Sequence, residues 1–299
     1  MRERVVVYIF LSGIFLVVPL IIGGYWLYIV NLALLYVVLA STWNLLYGFT
    51  GLFSFAHPGI FAISAYASTV LAQLGFPIPF AMITSSLIST ASGFALAFVS
   101  MRSRGFYLAM VTWCFSEVIR IFLFMTFRDF TIAPTLRLNY SSWYYLLLFF
   151  AIISSVVINK IINSKIGYYL RAIKDNEDVA NVMGVNTLIY KLLCFSITSF
   201  LVGLSGAFYA HYVGIVSPSL AGFTMMGQTI IMCLLGGIGS FIGPILGAII
   251  ITFFFQALRQ FQTLWLASCA ILAIVVMKFC PEGIISIIKK KAKPFREWG

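Results

Sequence analysis

The chain has 299 residues, 62% of them hydrophobic and only 9% charged, with a formal net charge of +11. A soluble domain carries about 25% charged residues, so this composition excludes a soluble globular protein and implies many membrane spans with little mass outside them. The basic excess does not read as nucleic-acid binding, because Lys and Arg sit mostly in short loops and at the C-terminal end, where they set membrane topology.

About ten apolar segments lie near the ~20 residues that a helix needs to cross the hydrocarbon. They cover 5–22, 27–47, 53–74, 80–101, 105–127, 142–162, 192–213, 225–238, 241–258 and 263–279. Lipid satisfies no free backbone group, so the spans must be helices. The expected fold is all-α, a polytopic transmembrane helical bundle with some segments broken or re-entrant, forming one domain over 1–299. The first segment follows Arg2 and Arg4 and shows no small-residue cleavage site, so it reads as a retained span rather than a signal peptide. Arg2 and Arg4, Arg102 and Arg104, Lys160 to Lys174, and Lys289 to Arg296 all fall on one side of ten crossings. That places both termini and the 163–191 loop in the cytoplasm of a cell's inner membrane, with Arg128 and Arg137 as a smaller exception outside.

Two segments are not ordinary spans. The first, NLLYGFTGLFSFAHPGIFAISAYAS, begins at Asn44 and is interrupted by Gly48, Gly51, Pro58 and Gly59, with Thr50, Ser54 and His57 adding polarity. The second, GGIGSFIGPILG, carries Gly239, Gly243 and Gly247 at every fourth position beside Pro244. Pro removes a helix hydrogen bond and Gly weakens the helix. Irregular backbone at membrane depth persists only where protein or a water-filled path covers it, and paired broken segments point to a transport pathway. The plainer reading of the second segment is close helix packing through GxxxG. Between the two lie Glu117 and Arg120, three apart and on one helical face, able to pair. Their candidate roles are a polar element of a path or a structural pair locking two helices. Candidate pathway residues are therefore Asn44, Thr50, Gly51, Ser54, His57, Glu117 and Gly239. His211 reads as an interfacial helix end. The five cysteines lie in or beside apolar runs with no CxxC pair, so they read as membrane-buried thiols, with neither a disulfide framework nor a metal site. No cofactor is expected.

The one long polar stretch between spans is SKIGYYLRAIKDNEDVANVMGVNTLIYK, residues 164–191, which holds Asp175, Glu177 and Asp178 of eight acidic residues in all. It reads as a docking surface. Asp175 is the expected cap of a short amphipathic helix, Glu177 and Asp178 its first turn, and Gly184 its close. A helix lying on lipid headgroups is the alternative, and the acidic residues argue against it at a negative inner surface.

Within this stretch Gly167, Arg171, Ala172, Ile173, Asp175, Asn176, Glu177, Ala180, Gly184 and Asn186 resemble the cytoplasmic coupling loop of branched-chain amino acid ABC permeases. The first broken segment resembles that family's early glycine-rich signature, RSRGFYLAMVTWCFSEVIR the fifth-span region of the M-type subunit, and LLGGIGSFIGPILGA and FCPEGI its late motifs. Phe53, Phe55 and Pro58 depart from the smaller or more polar residues usual there. The resemblance runs from about Asn44 to Ile284. It implies a permease subunit, coupled through Gly167, Arg171, Asp175, Asn176, Glu177, Ala180 and Gly184 to two cytoplasmic ATPases. It further implies a second, non-identical permease subunit and an extracytoplasmic solute-binding protein. The chain has no GxxxxGK[ST] phosphate loop, so it must borrow its energy and is not itself an enzyme of that kind. Competing readings are the same architecture carrying urea or short amides, a secondary transporter or channel, and an intramembrane serine protease built on Gly203, Ser205 and Gly206. The protease lacks a base, since no histidine follows His211. Ser199, Gly203 and Ala207 read better as a helix-packing stripe.

Overall fold

The computed structural model describes residues 23–101, 103, 105–127, 131–136 and 138–258, with single positions 19, 278 and 283. Most of the expected first and tenth spans, and the basic residues beside them, lie outside the described residues. Ten α-helices stand among the described residues. They are α1 (Gly24–Asn44), α2 (His57–Gln73), α3 (Ile78–Ser100), α4 (Phe106–Phe127) and α5 (Tyr140–Ile162), then α6 (Lys165–Asp175), α7 (Glu177–Val182), α8 (Thr187–Val213), α9 (Phe223–Gly236) and α10 (Gly243–Leu258). The chain is an all-α membrane protein. Among the described residues, five stretches are long and apolar enough to cross a membrane: Gly24–Phe49, α3, α4, α5 and α8. α2, α9 and α10 are shorter, with 17, 14 and 16 residues. They fall where Gly and Pro break the apolar segments.

α8 packs along α2 and α3 on one side and α1 on the other, and α1 is covered in turn by α5 and α10. The α3–α8 seam is made of small residues. A Cβ at Gly203 would collide with the Ser89 hydroxyl and one at Gly93 with the Ser199 hydroxyl; on the α2 side of α8, one at Gly206 would collide with the Phe61 carbonyl. Without a hydrophobic force between helices in lipid, close backbone approach is what holds such a seam. This is the packing role expected of Ser199 and Gly203. Ser205 is buried and donates to its own helix at the Leu201 carbonyl, 2.9 Å away.

At the far end of α8 a two-residue antiparallel pairing, β1 (Thr131–Ile132) with β2 (Ile215–Val216), pins the α4–α5 loop. His211 sits in the last turn of α8 as expected, but it is wholly buried. Its ring nitrogens lie 2.7 Å from Ser68 Oγ and 2.6 Å from the Pro134 carbonyl, so it ties α8 to α2 and to that loop. Among the described cysteines, Cys194 and Cys233 are buried and Cys114 is exposed, all free.

The near end carries the 163–191 loop. Its expected short helix is present as α7, preceded by an 11-residue amphipathic helix, α6, that the polar composition had hidden. The cap is one residue later than expected. Asp175 ends α6, and Asn176, in extended backbone, accepts the Asp178 and Val179 amides at 3.1 Å each. Asp175 cannot cap α7 because its own backbone is still helical. Gly184 follows α7 at φ +85°, the left-handed conformation that closes a helix at lowest cost.

Candidate functional site

The site begins where α1 stops being an α-helix. Residues Leu45–Phe49 form one π-helical turn. Thr50 Oγ1 donates to the Leu45 carbonyl at 3.1 Å, and the Leu52 amide to Leu46 at 3.0 Å. Gly51 then turns the chain at φ +75°. π turns inside helices concentrate at functional positions. Past it the backbone is non-helical to Ala56 and is held in part by side-chain bonds. Trp43 Nε1 donates to the Ser54 carbonyl at 3.0 Å, and Ser54 Oγ accepts the Ala56 amide at 3.2 Å.

α2 opens at His57 with Pro58 in its first turn, where a missing amide costs nothing. Its entry and first turn are bonded from α4. Thr112 Oγ1 accepts the Phe55 amide at 2.9 Å, Ser116 Oγ accepts the Gly59 amide at 3.3 Å, and Ser116 also donates to the Phe55 carbonyl at 2.8 Å. Neither residue was singled out from sequence; the legible signal was two hydroxyls four apart on one face of an apolar helix. His57 itself is buried, and neither ring nitrogen has a hydrogen-bond partner among the described residues.

The two broken segments meet. Asn44 Nδ2 donates to the Ser240 carbonyl and its Oδ1 accepts the Gly239 amide, each at 2.8 Å. Gly239 adopts φ +77°, and a Cβ at Gly48 would stand 2.7 Å from its nitrogen. Gly243 and Gly247 instead serve packing: a Cβ at Gly247 would collide with the Met232 carbonyl of α9. So the second segment shows the helix packing expected of it at Gly247 and, at Gly239, a contact with the first broken segment. Gly283, from the late FCPEGI motif, lies against Gly237.

The 163–191 loop folds directly under this junction. Lys174 Nζ donates to the Gly48 carbonyl at 2.7 Å, and a Cβ on Gly51 would lie 3.2 Å from Lys174 Cγ. A cleft of about 250 Å³ runs between the loop and residues 50–53. Most of the expected coupling residues build this knob. Gly167 lets α6 approach the Ile162 carbonyl, where a Cβ would collide. Arg171 donates to that carbonyl at 3.2 Å and lies over the Phe49 ring at 5.5 Å. Ala180 is buried. Glu177 pairs with the buried Lys191 at 2.5 Å and accepts from Thr187 Oγ1 at 3.3 Å. The outward face of the knob is carried by Val179, Val182 and Met183; the last two are 87% and 79% exposed.

Glu117 has no bond to the Asn44 junction among the described residues. It pairs within α4 with Arg120, whose Nε donates to both carboxylate oxygens at 2.9 and 3.0 Å and whose Nη2 also donates to Oε1. The pair lies on an open face, with Arg120 and Glu117 side chains 42% and 37% exposed.

Comparison with known proteins agrees with this architecture. Residues 25–278 match the family model described as branched-chain amino acid transport system / permease component, and the chain belongs to that family. It is a multi-pass membrane permease. It is 26% identical over 330 residues to the high-affinity branched-chain amino acid transport system permease protein LivM of Salmonella typhimurium, covering 94% of this chain and 76% of that one. The Escherichia coli LivM gives the same identity and coverage. The permease protein BraD of Pseudomonas aeruginosa is 23% identical over 244 residues, 72% of this chain and 79% of that one. No solved structure matches.

Proposed function

We propose that the chain is the membrane-spanning permease subunit of an ABC importer for branched-chain amino acids, one domain over 1–299 whose 163–191 knob receives force from ATPase subunits. The observation that carries this is the knob itself: an apolar tip of Val179, Val182 and Met183 facing outward, on a hairpin bonded through Lys174 to the π turn. Exposed apolar side chains on a capped, rigid helix suit a protein groove. Asp175, Glu177 and Asp178 beside them suit an anionic lipid surface poorly. The LivM and BraD relatives support the cargo class.

In this reading two cytoplasmic ATPases grip the knobs of this chain and of a second, non-identical permease subunit, and an extracytoplasmic binding protein delivers the solute. Nucleotide binds the two conformations unequally and so shifts the spans between them. The knob and both termini face the cytoplasm. The junction of Asn44, Thr50, Gly51, Ser54, His57 and Gly239 is the part of the pathway that moves.

The test is reconstitution of the chain with its partners in liposomes. Val182→Asp with Met183→Asp is expected to insert normally, lose the ATPase on purification and abolish ATP-driven leucine uptake. Wild-type uptake by that variant, or uptake by the isolated chain on an ion gradient, would overturn the reading.

A further inference from the structure

Glu117 and Arg120 sit near the middle of the 22-residue span α4, on its open side. Each charge left at membrane centre costs roughly 2.5–3.5 kcal/mol on insertion scales, so this face is not turned to lipid. Nor does the pair lock two helices together, because both partners belong to α4. Arg120 uses Nε and one Nη2 donor on Glu117. A guanidinium has five donors, so the rest of the fork has no partner among the described residues.

The surroundings are equally specific. Trp113 and Arg120 lie seven apart on one stripe of α4, with Glu117 between them. The Arg120 stem passes beside Gly222, 3.9 Å from where a Cβ would be. Gly222 precedes α9, and Phe223 at the start of that helix is 6.1 Å from Trp113 and stacked on Phe55 at 6.2 Å. A fixed cation and a fixed anion thus share a patch with three aromatic rings. The N-terminal end of α9, which favours negative charge, lies beside them.

We propose that this patch reads a zwitterionic amino acid with an apolar side chain as it passes. Arg120 takes the carboxylate in its open fork, Glu117 takes the ammonium, and Trp113, Phe223 and Phe55 take the side chain. A net-neutral pair receiving a net-neutral zwitterion brings no net charge into the membrane, while each ion gains a charge-assisted bond. The proposal rests on the import reading above and adds a site inside the permease to the selection made by the binding protein.

The test uses the full complex in ATP-loaded liposomes and compares leucine with alanine uptake. Glu117→Leu with Arg120→Leu is expected to co-purify with its partners, since a removed pair leaves no orphan charge, yet to lose about tenfold or more of its uptake, the scale of one charge-assisted bond. Phe223→Ala, at an exposed position, is expected to lower the leucine-to-alanine ratio at least about threefold. Near-wild-type uptake by the double variant, or an unchanged ratio in Phe223→Ala, overturns the site while leaving the importer intact. Failure of the double variant to assemble, together with that unchanged ratio, makes the pair a subunit seam and overturns the site as well. A wild-type complex that moves no amino acid removes the cargo reading and this site with it.

Discussion

Lys174 and Gly48, 126 positions apart, are joined by a 2.7 Å bond from the ammonium of one to the backbone carbonyl of the other. The π turn frees that carbonyl and the absence of a side chain at Gly48 lets Gly239 press against the same turn. Asn44, one turn earlier, grips Gly239 and Ser240. A displacement of α6 therefore has a continuous bonded route into the turn between α9 and α10. Lys174→Met removes the donor and keeps most of the stem. It is expected to cut ATP-driven uptake by about tenfold, matching the loss of one hydrogen bond to a charged group. Co-purification of the ATPase should persist. Unimpaired uptake would show that force takes another route.

The pair of Glu177 and Lys191 gives a second measurement. Lys191 is 4% exposed, so Glu177→Ala leaves a buried ammonium without its carboxylate. Breaking a buried pair from one side costs about 3–5 kcal/mol, whereas removing both members is often close to neutral. Glu177→Ala is expected to lower the thermal midpoint of the purified chain by several degrees, and Glu177→Ala with Lys191→Met to recover most of it. Equal loss in the single and double variants would mean that the pair does not hold α7 against α8.

Composition and breaks made the helical fold legible, because a lipid-crossing chain has few options and Gly and Pro mark where a helix fails. The same signals located Asn44, Gly51, His57 and Gly239 as a group, and the structure brings Asn44 and Gly239 into contact. What stayed hidden was anything depending on a partner distant in sequence. Lys174 looks like any loop lysine until Gly48 lies above it. Thr112 and Ser116 look like incidental hydroxyls until the chain entering α2 brings the Phe55 and Gly59 amides to them. Asp175 and Asn176 are both good caps by type, and only the end of α6, unmarked by a break, decides between them.

The α3–α8 seam allows a prediction independent of function. A side chain at Gly203 would enter the Ser89 hydroxyl, and one at Gly93 the Ser199 hydroxyl. Gly203→Val is expected to separate the helices and destabilise the protein by about 1–3 kcal/mol or more, as overpacking does. The measurement is the fraction of monodisperse protein after detergent extraction. Ser89→Ala in the Gly203→Ala background should regain part of the loss by removing the colliding oxygen. No regain would place the strain elsewhere than in this seam.

Asn44 separates the two halves of the junction by chemistry. Its side chain is buried and donates to one backbone group while accepting from another. Asn44→Leu strands both the Gly239 amide and the Ser240 carbonyl, each at about 1–3 kcal/mol when unsatisfied. Asn44→Asp keeps the acceptor for Gly239 but loses the donor to Ser240 and adds a charge in a dry site. Both variants are expected to lose stability, and Asn44→Gln, with the same groups on a longer stem, to keep more of it than Leu. Leucine uptake should fall further than thermal stability in all three, because the junction lies on the route from Lys174 to the α9–α10 turn. Uptake and stability falling in parallel would make Asn44 a brace for the resting fold and not a part that moves.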